Sequence, residues 1–107
     1  MSHETDARRI AAALECAAAC HRCAASCLRE KDVAAMARCI ALDLDCAGIC
    51  ELAAAMMARE SEHAAAIRRL CAEICDACAQ ECARHDAAHC QECAKACRAC
   101  AEACREA

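Results

Sequence analysis

The chain has 107 residues and a formal net charge of −4, with 16 Cys, one Gly and no Phe, Trp, Tyr or Pro. That balance excludes the basic footprint that nucleic-acid binding demands, and no apolar run approaches the ~18 residues of a membrane span. The length fits one metal-binding domain over residues 1–107, able to bury a single core.

In chain order, the polar start from Met1 to Arg9 lacks the apolar stretch of a signal peptide. The chain is therefore expected in the cytoplasm, where thiols stay reduced. Met1-Ser2-His3 offers an amino-terminal Cu(II) site only where Met1 is retained, and the small Ser2 favours its removal. Ala, Leu, Glu and Arg are strong helix formers, so breaks are read from caps and polar pivots. Asp6 or Thr5 opens a first helix near 6–30. Lys31-Asp32 ends it, with Asp32 as N-cap of a second helix near 32–59. Ser61, set between Arg59-Glu60 and Glu62, starts a third near 61–84, and Asp86 after His85 caps a fourth near 86–106. Helices of ~20–28 residues are roughly 30–40 Å long. Turns this short force antiparallel neighbours, which predicts an all-α, antiparallel up-down-up-down four-helix bundle.

Cysteines recur every three or four residues along all four segments. The first carries Cys16, Cys20, Cys23 and Cys27, and the second Cys39, Cys46 and Cys50. The third carries Cys71, Cys75, Cys78 and Cys82, and the fourth Cys90, Cys93, Cys97, Cys100 and Cys104. This is the inward stripe of a bundle helix. A Cys-lined core follows, with Arg22, Arg29, Glu73, Glu81, Glu92, Lys95 and Arg98 on other faces. One buried Cys means only packing. A whole stripe of Cys means more, because Leu, Ile and Val fill volume better. Residues three or four apart on one helix do not bridge without strain, so only cross-helix disulfides stay open. A reducing compartment favours metal instead.

Thiolate is a soft donor that selects Cu(I), Zn(II) or iron–sulfur clusters. Structural zinc takes discrete tetrahedral groups, and iron–sulfur ligands usually come from loops that wrap a compact cluster. Continuous columns on helices suit Cu(I) better. With two sulfurs per ion and two ions per sulfur, the ratio approaches one Cu per Cys, a capacity of ~16 ions. Such a column is neutral, so an apolar sheath can surround it.

The motifs CAAAC (16–20), CHRC (20–23), CAASC (23–27), CAGIC (46–50), CAEIC (71–75), CDAC (75–78), CAQEC (78–82), CQEC (90–93), CAKAC (93–97), CRAC (97–100) and CAEAC (100–104) carry a resemblance. Together they resemble the bacterial copper storage proteins, four-helix bundles whose Cys-lined cores hold many Cu(I) ions. The resemblance spans about residues 6 to 106. It implies storage of multiple Cu(I) per chain in the cytoplasm, by a protein that is often a homotetramer. A copper chaperone or a small thiol is the expected donor.

One position departs from the stripe. The second helix reads Met36, Cys39, Asp43, Cys46, Cys50, so Asp43 stands where a sulfur belongs, near the level of Cys20, Cys78 and Cys93. Either a helix rotation takes Asp43 to a solvent seam or an Arg, or it interrupts the column as a hard ligand or hydrogen-bonding group.

The antiparallel order gathers Cys27, Met36, Cys82, His85, Asp86, His89 and Cys90 at one end. Met36 and His85 continue the stripes, and with His89 they are the candidate auxiliary ligands of a mouth. The bland alternatives are gap filling for Met36 and a helix C-terminus contact for His85. The opposite end collects Ile10, Leu14, Ile49, Leu52, Met56, Ile67 and Leu70 as an expected hydrophobic plug, with Arg68 and Arg69 solvated. His21 is expected at the core margin and His63 in solvent. Gly48 lies off the stripe, either as a close-contact point in an oligomer or as a tolerated weakness.

Three other functions compete: a zinc- or cadmium-sequestering protein, an iron–sulfur electron carrier and a thiol redox enzyme. Reactive CxxC pairs usually sit at exposed helix N-termini, whereas these lie inside helices. With no nucleophile–base arrangement or phosphate loop, the chain does not read as an enzyme.

Overall fold

A computed structural model describes residues 3–106, with side chains from Asp6 onward. Met1, Ser2 and the His3 side chain of the amino-terminal copper motif lie outside the described residues. The helices are α1 (His3–Cys27), α2 (Ala37–Ala58), α3 (Ala64–Ala83) and α4 (Ala88–Arg105), with a 3₁₀ turn at Val33–Met36 before α2. Each helix packs on its chain neighbours, and α1 meets α4 to close the ring. The bundle measures 45 × 17 × 17 Å. Ala and Cys are the inward residues, so helices approach closely and the cross-section stays narrow.

The turns are longer than the sequence suggests, each for a local reason. After Cys27 the chain tightens, with Arg29 N–H on Ser26 O and Glu30 N–H on Cys27 O, both at 3.1 Å. Asp32 does cap, accepting from Ala35 N–H at 3.3 Å, but it caps the 3₁₀ turn rather than α2. At the second turn, Ser61 N–H bonds Met56 O and Glu60 N–H bonds Met57 O, each at 3.0 Å. These bonds form a Schellman stop. Glu60 holds its left-handed position with φ 54°, where glycine would be usual. Ser61 Oγ then accepts from His63 N–H at 3.1 Å, and α3 begins at Ala64.

At the third turn Asp86 does not cap. Ala87, with ψ 138°, precedes α4, and no side chain caps it. Gln91 ties this turn instead, donating Nε2 to His85 O at 2.6 Å and Ala83 O at 3.3 Å.

The expected hydrophobic plug is corrected. Leu14, Leu52 and Leu70 are 51%, 47% and 44% exposed; Ile10, Ile49 and Ile67 are half-buried and do pack against the core, and Met56 is half-buried. Leu14 and Leu52 each lie two residues from a stripe cysteine, so the 3.6-residue turn swings them outward. Ala13, Ala53, Met57 and Arg9 take the interior at that end instead. Arg68 is half-buried, not solvated, and its Nη1 donates to Cys104 O at 3.3 Å.

Candidate metal centre

All 16 cysteines are buried and free. Fifteen are fully inaccessible, and Cys104 keeps 4% exposure. Sulfurs from different helices approach to van der Waals contact. Examples are Cys39–Cys82 at 3.5 Å, Cys46–Cys75 and Cys16–Cys97 at 3.6 Å, and Cys50–Cys71 and Cys20–Cys93 at 3.7 Å.

Along the bundle these contacts build overlapping groups of four, with sulfurs inside each group within 4.8 Å of one another. From the far end they run Cys50/Cys71/Cys75/Cys100, Cys16/Cys46/Cys50/Cys75, Cys16/Cys20/Cys46/Cys97 and Cys20/Cys78/Cys93/Cys97. Cys23/Cys27/Cys39/Cys90 completes the opposite end. The first four groups share sulfurs in succession, Cys50 and Cys75, then Cys16 and Cys46, then Cys20 and Cys97, while the fifth joins through Cys39–Cys82 at 3.5 Å and Cys82–Cys78 at 3.9 Å. A set of isolated tetrahedral sites would share none. On α1 alone, Cys16 to Cys27 covers about 16 Å of helix rise.

Asp43 lies inside this column and is fully buried, which rules out the solvent-seam position. Its Oδ1 accepts hydrogen bonds from Cys78 and Cys93 at 3.3 Å and from Cys82 at 3.5 Å, and its Oδ2 accepts one from Cys39 at 3.9 Å. Burial, and then the nearby Cys93 charge, pushes its carboxyl up to about 8. At neutral pH it is mostly a neutral acid. The expected level at Cys78 and Cys93 holds.

At the end of the bundle where α1 stops and α4 starts, the expected mouth, His89 is set over the sulfurs. Its Nδ1 lies 3.5 Å from Cys90, 3.7 Å from Cys23 and 3.9 Å from Cys27. Its Nε2 faces Glu30 Oε1 at 3.2 Å. A carboxylate on one ring nitrogen orients the other as a donor toward metal. Met36 is buried at the same end, 7% exposed.

His85 is engaged elsewhere, with Nε2 at 2.8 Å from Glu81 Oε2. Glu81, expected on the outer face, is 5% exposed and also binds Arg84 at 3.1 Å and Arg38 at 3.5 Å. His21 and His63 lie in solvent beside Glu51 and Glu62. Glu30 and Glu81 were not singled out as site residues by sequence reasoning. Glu81 was nevertheless signalled by its i,i+4 relation to His85.

Burial raises the mouth thiols, Cys90 to about 11, with Cys27 pushed up as well. Deeper in, directions alternate: the Cys16 hydrogen bond leads in pushing Cys20 up and Cys46 down. Neighbouring thiols share protons, so one ionises at its neighbours' expense.

Comparison with known proteins supplies the family. The model of the copper storage protein family matches residues 2–107. The Cu(I)-bound copper storage protein BsCsp3, whose apo counterpart is described as from Bacillus subtilis, is similar at 46% identity. That match covers 94% of this chain and 95% of that one, with a TM-score of 0.91. A cytosolic copper storage protein from Streptomyces lividans, solved with five coppers, is 44% identical over 95% of this chain and 90% of that one, with a TM-score of 0.93. The uncharacterized cysteine-rich protein YhjQ of Bacillus subtilis (strain 168) is 48% identical over 82 residues, 77% of this chain and 76% of that protein. Fold, thiol column and sequence agree: the chain belongs to the copper storage protein family.

Proposed function

We propose that this chain stores Cu(I) as a continuous thiolate column, at close to one ion per cysteine, and has no catalytic role. The observation that carries this reading is the sharing of sulfurs along a run of four groups, from Cys50/Cys71/Cys75/Cys100 to Cys20/Cys78/Cys93/Cys97. Sulfurs arranged this way must bridge ions if all groups fill, and bridging is the habit of Cu(I) thiolates.

Charge supports the same choice. Cu(I) with one thiolate per ion leaves a neutral column. Zinc with four thiolates per ion leaves about two negative charges at each site, buried in an alanine sheath. The copper-loaded relatives support it too.

All 16 cysteines serve as ligands on this reading. Asp43 is a hydrogen-bond acceptor that becomes an oxygen ligand or an anion beside the ions. His89 and Met36 receive copper at the mouth. His85 holds Glu81 and lies outside the donor set. On this reading the chain works in the cytoplasm and takes copper from a copper chaperone or a small thiol, and the resemblance to the family implies a homotetramer.

Native mass spectrometry of reduced chain offered Cu(I) and Zn(II) together tests the choice of metal. Copper-only species carrying more than four ions are expected, since four is the most that unshared zinc tetrads would hold (by the estimate of four sulfurs per zinc, about four ions). Zinc species dominating at four ions or fewer would refute it.

A further inference from the structure

The two ends of the column differ in chemistry. At the mouth, the His89 imidazole reaches toward three sulfurs. At the far end the last thiol is Cys104, beside Cys100 and Cys71, and against the same end of α4 lies Arg9. Arg9 is 0% exposed and heads the fully buried side chains by size. Its Nε donates to Ala103 O at 3.2 Å, its Nη2 donates to Glu106 O, and its Nη1 donates to Asp6 Oδ1 at 3.3 Å. From α3, Arg68 donates to Cys104 O. Two guanidinium groups thus sit on carbonyls at the carboxyl end of α4 and its cap: Cys104 O, Glu106 O and Ala103 O, the last of which also accepts from Glu106 N–H at 3.3 Å. Their charge also suits a helix C-terminus.

Ala13, Ala53 and Met57 are buried at the same end and complete the wall. Cys104, the one cysteine with measurable exposure, borders a depression lined by Arg68, Arg69 and Arg105, together with Glu73 and Glu106.

A guanidinium has five N–H donors, stays charged in proteins and has no acceptor lone pair for a metal. A Cu(I) ion moving down the column would meet a fixed cation there, with the buried Met57 thioether as a soft donor at the same end. Small molecules reach only the edge of Cys104, which keeps 4% exposure, and meet packed atoms beyond it. We infer that Arg9 is the stopper of the column, a positioning residue that closes its far end and leaves the His89 mouth as the route of exchange. The consequence for copper rests on the storage reading, whereas the closure itself does not.

Arg9 also joins the two ends of the chain, and a staple would serve stability alone. The two roles differ in where access changes. Reduced apo-protein is alkylated with iodoacetamide and followed cysteine by cysteine by peptide mass spectrometry. In Arg9→Met, Cys104, Cys100 and Cys71 should react faster by about tenfold or more, the factor expected from losing charge-assisted hydrogen bonds. Cys20, Cys46 and Cys97 at mid-column should keep their wild-type rates. Arg9→Lys keeps a cation and a donor, and should show the same selectivity at a smaller factor.

An unchanged far-end trio in Arg9→Met overturns the stopper. Uniform acceleration of every cysteine in both variants also overturns it and leaves a staple. If Arg9→Met accelerates all sites but Arg9→Lys only the trio, the stopper stands. No copper enters this assay, so a low copper stoichiometry would refute storage without touching this result, and the reverse holds.

Discussion

Replacing Asp43 by Asn changes one titrating group in a fully buried site and almost no volume. In the folded chain burial raises the carboxyl to about 8 from its ordinary 3.8. A raised folded pKa means that folding takes up a proton. The stability this gives is fully present below about pH 4 and is lost as pH rises toward 8. Each pH unit within that window costs about 1.4 kcal/mol. Between pH 5 and pH 8 the wild type should therefore lose about 3–4 kcal/mol relative to Asp43→Asn, which does not titrate. For a chain of this size that corresponds to roughly 15 °C in Tm. Comparing the two proteins cancels the surface carboxylates and their ion pairs. The assay is thermal unfolding of reduced apo-protein by circular dichroism, without oxygen, at half-unit pH steps. Melting curves that shift in parallel from pH 5 to pH 8 would show that Asp43 stays ionised, and the neutral-acid account of the thiol cluster would fail.

Other outcomes follow from the same geometry. His89→Ala should slow Cu(I) uptake severalfold in stopped-flow loading without lowering final capacity, while His85→Ala, whose ring is held by Glu81, should load at the wild-type rate. Loading at pH 7 should release close to one proton per copper, because burial keeps mouth thiols such as Cys90 protonated in the apo chain. Calorimetry in buffers of different ionisation enthalpy measures this, and release far below one proton would mean preformed thiolates. Gly48→Ala should raise apo stability by about 1 kcal/mol, since an added Cβ meets nothing within 4 Å. A loss of stability in chemical denaturation would mean that another chain covers this face. Glu60→Gly should also stabilise, by up to about 1 kcal/mol, by relieving its left-handed backbone.

Four helices and a thiol interior were legible because Cys recurs at helical spacing, and that spacing alone fixes which face turns inward. The level of Asp43 was legible for the same reason. Turn geometry was not. Asp32 and Ser61 have cap chemistry, but they serve the turns that precede α2 and α3 rather than the helices themselves.

The far end was misread because large apolar residues were assumed to point inward. Leu14 and Leu52 are out of phase with the stripe by two residues, and Ala13 and Ala53 are in phase. Helical phase outweighs hydrophobicity where small side chains let helices sit close. At the mouth, His85 continues the helix-three stripe at i+3 from Cys82, yet it pairs with Glu81 at i−4. His89 lies next to a stripe cysteine, not on the stripe, and is the one placed over the thiols. Sequence spacing ranks helix faces, but it does not show which way a side chain leans at a helix end. Arg9 carried no sequence signal, since a lone arginine near a helix start usually lies in water.

A continuous column and a discrete site are told apart by titrating reduced apo-protein with Cu(I), without oxygen, against the chromophoric chelator bathocuproine disulfonate. The column predicts that roughly 16 ions per chain are withheld from the chelator before its colour develops. Colour developing after only about one to four ions would contradict it and leave a discrete thiolate site in place of a store.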